Sequence, residues 1–168
     1  MTADLDLRSE LKHELTDFVT RMASLENSFA ASEAVMKYGI DFLLRDRPPQ
    51  WLRMGERRNC FNNAAVYAIN REDVSYAEGY AIQPGLPFPV QHAWLVDPTG
   101  AVIDPTWTGT PNHVYFGIAF RRDFVLSMLN LSSGQPGILV NLHYLRRRHS
   151  APGAMEQAIR DGATMSHW

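Results

Sequence analysis

Three things are scarce in this sequence. It holds one cysteine in 168 residues, which excludes an internal disulfide and fits a reducing compartment. Its formal net charge is only −2, from 16 Lys and Arg against 18 Asp and Glu, so no overall field draws it to nucleic acid or to an anionic membrane. No apolar segment approaches the roughly 18 residues that a spanning helix needs. The start, Met1-Thr2-Ala3-Asp4-Leu5-Asp6, carries acid where a secretory signal would carry base. The expectation is a cytoplasmic protein without membrane or nucleic-acid partners. A Gly-rich phosphate loop and paired C-x-x-C or H-x-x-x-H spacings are also missing, so no metal or other cofactor is expected. The run Arg146-Arg147-Arg148-His149 lacks interleaved aromatics that could stack on bases and reads as a solvated basic end.

What is present suits one domain. Hydrophobic residues make up 45% of the chain, enough for a single packed core. The expected division is a single α+β domain over 1–145, with N-terminal helices in 1–55 and the catalytic core in 56–145, and a basic, loosely ordered tail over 146–168. Leu7, Leu11, Leu15, Phe18, Met22 and Leu25 recur at helical spacing and predict an amphipathic helix from about Leu5 to Leu25. Its stripe packs on the protein's own core or, alternatively, on a second copy or a helper protein. His13 on that helix, among Lys and Glu, is expected in solvent. A second helix is expected over 32–44, with Val35, Tyr38 and Phe42 inward and Pro48-Pro49 beyond it. Strands are expected over 74–82, 90–96, 101–104, 113–120 and 138–145, and a helix over 122–131. On the 74–82 strand the small Ser75, Ala77, Gly79 and Ala81 share a face suited to close approach by the helix after Cys60. Glu78, among tyrosines on the other face, reads as a site carboxylate or as a group reaching solvent at an edge, and the edge reading is preferred.

The lone cysteine, Cys60, lies in Arg58-Asn59-Cys60-Phe61-Asn62-Asn63-Ala64. Phe61, Ala64, Ala65, Ala68 and Ile69 follow at helical spacing, and Asn59 is an N-cap candidate. That places Cys60 in the first turn of a helix, where unpaired N–H groups favour a thiolate and can hold an oxyanion. A thiolate at neutral pH also needs an imidazole, itself oriented by a carboxylate. His92 and Asp104 supply the types. Val90 to Val96 alternates, Asp97-Pro98-Thr99-Gly100 is a hairpin turn, and Ala101 to Asp104 is the return strand. If Asp97 pairs with Ala101, Trp94 faces Asp104 and His92 lies diagonal to Asp104 on one face. A slip of one residue would separate them. Pro105 cannot donate to the ladder, so pairing loosens beyond Asp104. His113 is a weaker rival to His92, lacking a carboxylate at useful hairpin spacing. Gln83 to Pro89 is a stiff apolar loop that either walls a groove or merely crosses over.

Cys60 at a helix start, the strand Tyr76-Ala77-Glu78-Gly79-Tyr80, His92-Ala93-Trp94 and Asp104-Pro105-Thr106-Trp107 together resemble the core of the transglutaminase-like cysteine enzyme superfamily. That group includes transglutaminases, peptide N-glycanases, bacterial cysteine peptidases and lasso-peptide leader peptidases; arylamine N-acetyltransferases share the Cys, His, Asp order more distantly. The resemblance spans about 59–107. It implies a papain/transglutaminase-like core of helices on an antiparallel sheet, with Cys60 as nucleophile, His92 as general base and acid, and Asp104 orienting His92. Members often place a Gln, Trp or Tyr side chain in the oxyanion hole, which here makes Gln50, Trp51 and Asn59 the candidates. Trp94, Trp107 and Phe88 are candidate groove residues. The expected activity is acyl transfer from an amide or thioester of a protein, peptide or small molecule, to water or to an amine. The alternative is an inactive binding or scaffold module that keeps the triad for packing.

Overall fold

The computed structural model describes residues 2–25, 31–108, 112–131, 136–141 and 152–160. Two helices, α1 (Thr2–Leu25) and α2 (Ala31–Tyr38), precede β1 (Ile40–Phe42) and the cysteine helix α3 (Cys60–Asn70). Then come β2 (Ser75–Ile82), β3 (Val90–Val96), β4 (Val102–Ile103), β5 (Val114–Ala119), α4 (Arg122–Leu131) and the short α5 (Ala154–Ala158). The architecture is mixed helix and sheet, the coarse α+β arrangement the strand and helix patterns imply. Among the described residues no helix is long and apolar enough to cross a membrane.

The five strands form one antiparallel sheet in the order β1-β5-β2-β3-β4. It curls until its two edges meet. Just past β1, Leu44 makes a parallel bridge to Val102 of β4, with Val102 N–H donating to Leu43 O at 2.8 Å and Arg45 N–H to Val102 O at 3.0 Å. The concave side encloses a small core of Phe42, Ala77, Ala81, Trp94, Val96, Val102, Tyr115 and Ala119. Such a tight interior admits one large ring only where its neighbours are small. Gly79 and Gly117 stand directly opposite each other in the β2–β5 ladder, and Trp94 fills the space they leave: a Cβ on Gly117 would overlap the Glu78 carbonyl oxygen and come within 2.7 Å of the Trp94 ring.

The convex side carries the larger core and all the packed helices. Ala64, Ala65 and Ala68 of α3 lie with Tyr76, Tyr80, Ile82, Ala93 and Leu95 of the sheet. Leu11, Leu15 and Val19 of α1 are buried in the same cluster, at about 1.5–3 kcal/mol of hydrophobic stabilisation for each such side chain. The α1 stripe therefore faces the chain's own core, although it ends early: Leu25 is exposed. His13 is exposed beside Asp17, as expected.

Several expectations are corrected. The cysteine helix does not sit on the small face of β2. Close approach is achieved by alanines on the helix, and the small strand residues point into the curled interior. Glu78 does not reach solvent but is fully buried; its carboxylate accepts from Tyr76 Oη at 2.6 Å, from Leu139 N–H at 2.7 Å and from Ile138 N–H. Those bonds explain a second correction: 138–141 is a turn, not a strand, because its amides are spent on Glu78 rather than on a ladder; residues 142–145 lie outside the described residues. The helix expected over 32–44 stops at Tyr38. Gly39 N–H closes the last turn on Val35 O at 2.7 Å, and Ile40–Phe42 pairs with β5 instead. Within 146–168, expected to be a loose tail, 152–160 is docked: Met155 and Ala158 are buried, and Ile159 bridges Phe120.

Replacing Gly79 or Gly117 by Ala should destabilise the fold by about 1–3 kcal/mol, the usual range for overpacking. Urea midpoints with an unchanged slope would register it; a shift below 0.5 kcal/mol would show that the sheet has room to relax.

Candidate active site

The hairpin that carries His92 forms in the expected register. Asp97 N–H donates to Ala101 O at 2.9 Å and Gly100 N–H to Asp97 O at 3.0 Å, while Leu95 pairs with Ile103 and Val96 with Val102. The Asp97 carboxylate secures the turn by accepting from Thr99 N–H, Thr99 Oγ1 and Ala101 N–H. Pairing ends at Ile103, one residue before Asp104. There the backbone turns away and lets the carboxylate swing beneath the imidazole: His92 Nε2 and Asp104 Oδ2 are 2.7 Å apart.

Asp104 is buried and fully engaged. Oδ1 accepts from Thr106 N–H at 2.7 Å and Trp107 N–H at 3.1 Å, and Oδ2 accepts from Tyr115 Oη at 2.9 Å as well as from His92. Burial opposes its charge, but the His92 imidazole and these donors prevail and hold its pKa below the usual value. On His92 burial likewise opposes charge, and the adjacent Asp104 carboxylate outweighs it, raising the imidazole from 6.5 to about 9. The Trp107 indole lies parallel to the His92 ring at 4.1 Å, fixing its plane.

Cys60 is the first residue of α3 and lies near His92, where it adds to the pull that raises the imidazole. Asn59 occupies the N-cap position but its side chain makes no cap bond; it donates to Glu56 Oε2 at 3.4 Å. The first-turn amides of α3 thus have no capping side chain, which keeps them available to an oxyanion. Arg58, just before, has φ +64°, a left-handed geometry that costs a non-glycine residue about 1–2 kcal/mol.

Asn63 joins the cysteine helix to the hairpin. Buried on the second turn of α3, its Nδ2 donates to Glu56 O at 2.8 Å and to Thr106 Oγ1 at 2.9 Å. Gly55 N–H donates to Pro105 O at 2.7 Å. A Cβ on Gly55 would overlap the Asn63 amide, so the loop before Cys60 and the turn after Asp104 are locked through one side chain.

Of the expected site residues, Cys60, His92 and Asp104 come together. Trp107 lies against His92. Trp94 is fully buried in the curled interior and walls no groove. Phe88 is exposed on the loop before β3. Among the oxyanion candidates, Asn59 adjoins Cys60 and Gln50 is exposed. Trp51 lies beside the later turns of α3, against Tyr67 with centroids 5.3 Å apart and under the Arg71 guanidinium at 4.1 Å. The structure does not bring Trp51 to Cys60. A cavity of about 680 Å³ reaches Asp104 and Trp107, with Leu44, Leu52, Met54 and Ile103 among its lining.

No family model, curated protein or solved structure matches the chain. Sequence reasoning passed over Tyr115, Asn63 and Thr106. For Tyr115 a signal existed: alternation in the 113–120 strand places His113, Tyr115 and Gly117 on the face opposite the apolar Val114, Phe116 and Ile118.

The pair makes stability depend on pH. Because His92 is raised, its contribution is complete below pH 6.5 and is lost as pH climbs through about 9. Because Asp104 is depressed from 3.8, its contribution is complete above that value and disappears as pH falls through the lowered pKa. Urea unfolding from pH 6.5 to 10 should show a decline on the order of 3 kcal/mol in wild type, and a much flatter profile in Asp104→Asn.

Proposed function

We propose that the chain is a cysteine acyl-transfer enzyme of papain/transglutaminase-like type, acting on an amide or thioester. The observation that carries this reading is the 2.7 Å imidazole–carboxylate bond between His92 and Asp104, with Cys60 at a helix start beside the imidazole. The Cys60 sulfur attacks the carbonyl carbon as a thiolate, its proton already held on the His92 imidazolium. The oxyanion forms beside the uncapped amides of α3, whose donors are worth about 2.7–4 kcal/mol each in measured oxyanion holes. The imidazolium returns its proton to the leaving amine or thiol, leaving a thioester on Cys60. Water or an amine, deprotonated by His92, then resolves it. An imidazole held toward its protonated form by Asp104 keeps that proton close between steps. The apolar cavity beside Trp107 suits an apolar group on the substrate.

A second reading has its own observation. Cys60 is only 8% exposed, which favours a binding or scaffold module in which the triad serves packing alone.

Iodoacetamide alkylation followed by intact mass separates the two. As an enzyme, wild type should react readily near pH 6, and His92→Ala and Asp104→Ala should lower that rate at least about 100-fold while circular dichroism stays unchanged. Incubation with thioester and amide panels, with and without an added amine, should then trap an acyl adduct on Cys60 and distinguish hydrolysis from transfer. A thiol that reacts only after unfolding would overturn the enzyme reading and establish the module.

A further inference from the structure

The site contains a second buried imidazole that the proposed chemistry leaves unused. His113 is buried at the start of β5, two residues from Tyr115 and on the same face. Its Nδ1 is 3.5 Å from Tyr115 Oη, and Tyr115 Oη donates to Asp104 Oδ2 at 2.9 Å. The Trp107 indole lies between the two histidines, stacked on His92 at 4.1 Å and edge-on to His113 at 5.7 Å. A phenol has one proton to give. Since Tyr115 spends it on the carboxylate, the long contact to His113 is made only if His113 Nδ1 carries the hydrogen and points it at the phenol oxygen.

We propose that Tyr115 and His113 are positioning residues, forming the directed chain His113 Nδ1–H to Tyr115 Oη–H to Asp104 Oδ2, which competes with His92 for the same carboxylate oxygen and so sets the basicity of the imidazole that serves Cys60. The proposal rests on the acyl-transfer reading for its purpose but not for its geometry. Two donors on one oxygen share its charge, so the pull of Asp104 on His92 is weaker than an unshared carboxylate would exert. Burial disfavours a charged His113, leaving it neutral as the chain requires, and burial keeps the Tyr115 phenol protonated. The ionisable groups facing this chain are His92 from β3 and Asp104 beyond β4. Arg8 of α1 and Arg45 line the adjoining cavity.

The test follows histidine titration by ¹⁵N–¹H NMR in full-length protein carrying Cys60→Ser, so that the result does not depend on catalysis. Tyr115→Phe should raise the His92 pKa by about half a unit or more, corresponding to the loss of one charge-assisted bond partly regained by its competitor. His113→Phe should shift it in the same direction by less and add nothing in the Tyr115→Phe background; His113→Gln, which restores an N–H donor, should bring the value back toward wild type. An unmoved His92 in folded Tyr115→Phe, or a His113 effect that survives without the phenol, would overturn the proposal. Should Tyr115→Phe fail to fold, the His113 tautomer in otherwise wild-type protein decides: Nδ1–H supports the chain and Nε2–H refutes it. In parallel, alkylation of native Cys60 judges the enzyme reading separately. An inert thiol with an intact chain would remove the catalytic purpose and leave the arrangement standing.

Discussion

A carboxylate removed from water must have its charge and its lone pairs answered by the protein, and at Asp104 that requirement organises the whole molecule. Left unpaired, such a group would cost several kcal/mol. Here two backbone amides take one oxygen and an imidazole and a phenol take the other. The four donors arrive from three parts of the chain: the turn Thr106-Trp107, β3 and β5. The demands of one side chain thus fix the hairpin register, the break in pairing after Ile103 and the phase of the β5 strand. Asn63 transmits the same constraint to the start of α3 through Thr106.

The sheet solves a packing conflict in two ways at once. Its concave side must accommodate Trp94, Tyr115, Phe42 and His92 within a tight curl, and it does so by keeping Ala77, Gly79, Ala81, Gly117 and Ala119 small on β2 and β5. Its convex side carries Tyr76, Tyr80, Ile82 and Leu95, so there the helix supplies the small side chains. Packing density is thereby kept on both faces. The Trp94 Nε1–H is the visible cost, since it is buried with no hydrogen-bond partner among the described residues.

Much of the site was legible because it depends on local chemistry. A Pro-Thr-Gly turn dictates which residues of a hairpin share a face, and from that His92 and Asp104 could be paired at a distance of twelve residues. Helix and strand bounds at α3, β3 and α4 followed from periodicity. The failures all involve long-range partners. Nothing within 74–82 reveals that the sheet curls, so its small face was assigned to a helix rather than to Trp94. Glu78 sits on a face with tyrosines, which is compatible with solvent until the amides of Ile138 and Leu139 come into view. The 40–42 segment is helical by pattern and extended by tertiary pairing, the ordinary outcome when a glycine interrupts a periodic run and a free strand edge lies nearby. Tyr115 was missed because attention to Val114, Phe116 and Ile118 hid the polar alternation on the opposite side.

The seam between Leu44 and Val102 has a mechanical meaning. Two backbone hydrogen bonds close the curl there, whereas β2 is held to its neighbours on either side by ladders of six and seven paired residues. Local opening follows weak ladders, so this line parts before β2 separates from either neighbour. The line runs along the cavity that reaches Asp104 and Trp107, yet neither the β3–β4 hairpin nor α3 crosses it. A breathing motion there would widen the cavity beside Asp104 and Trp107 while leaving the hairpin register intact.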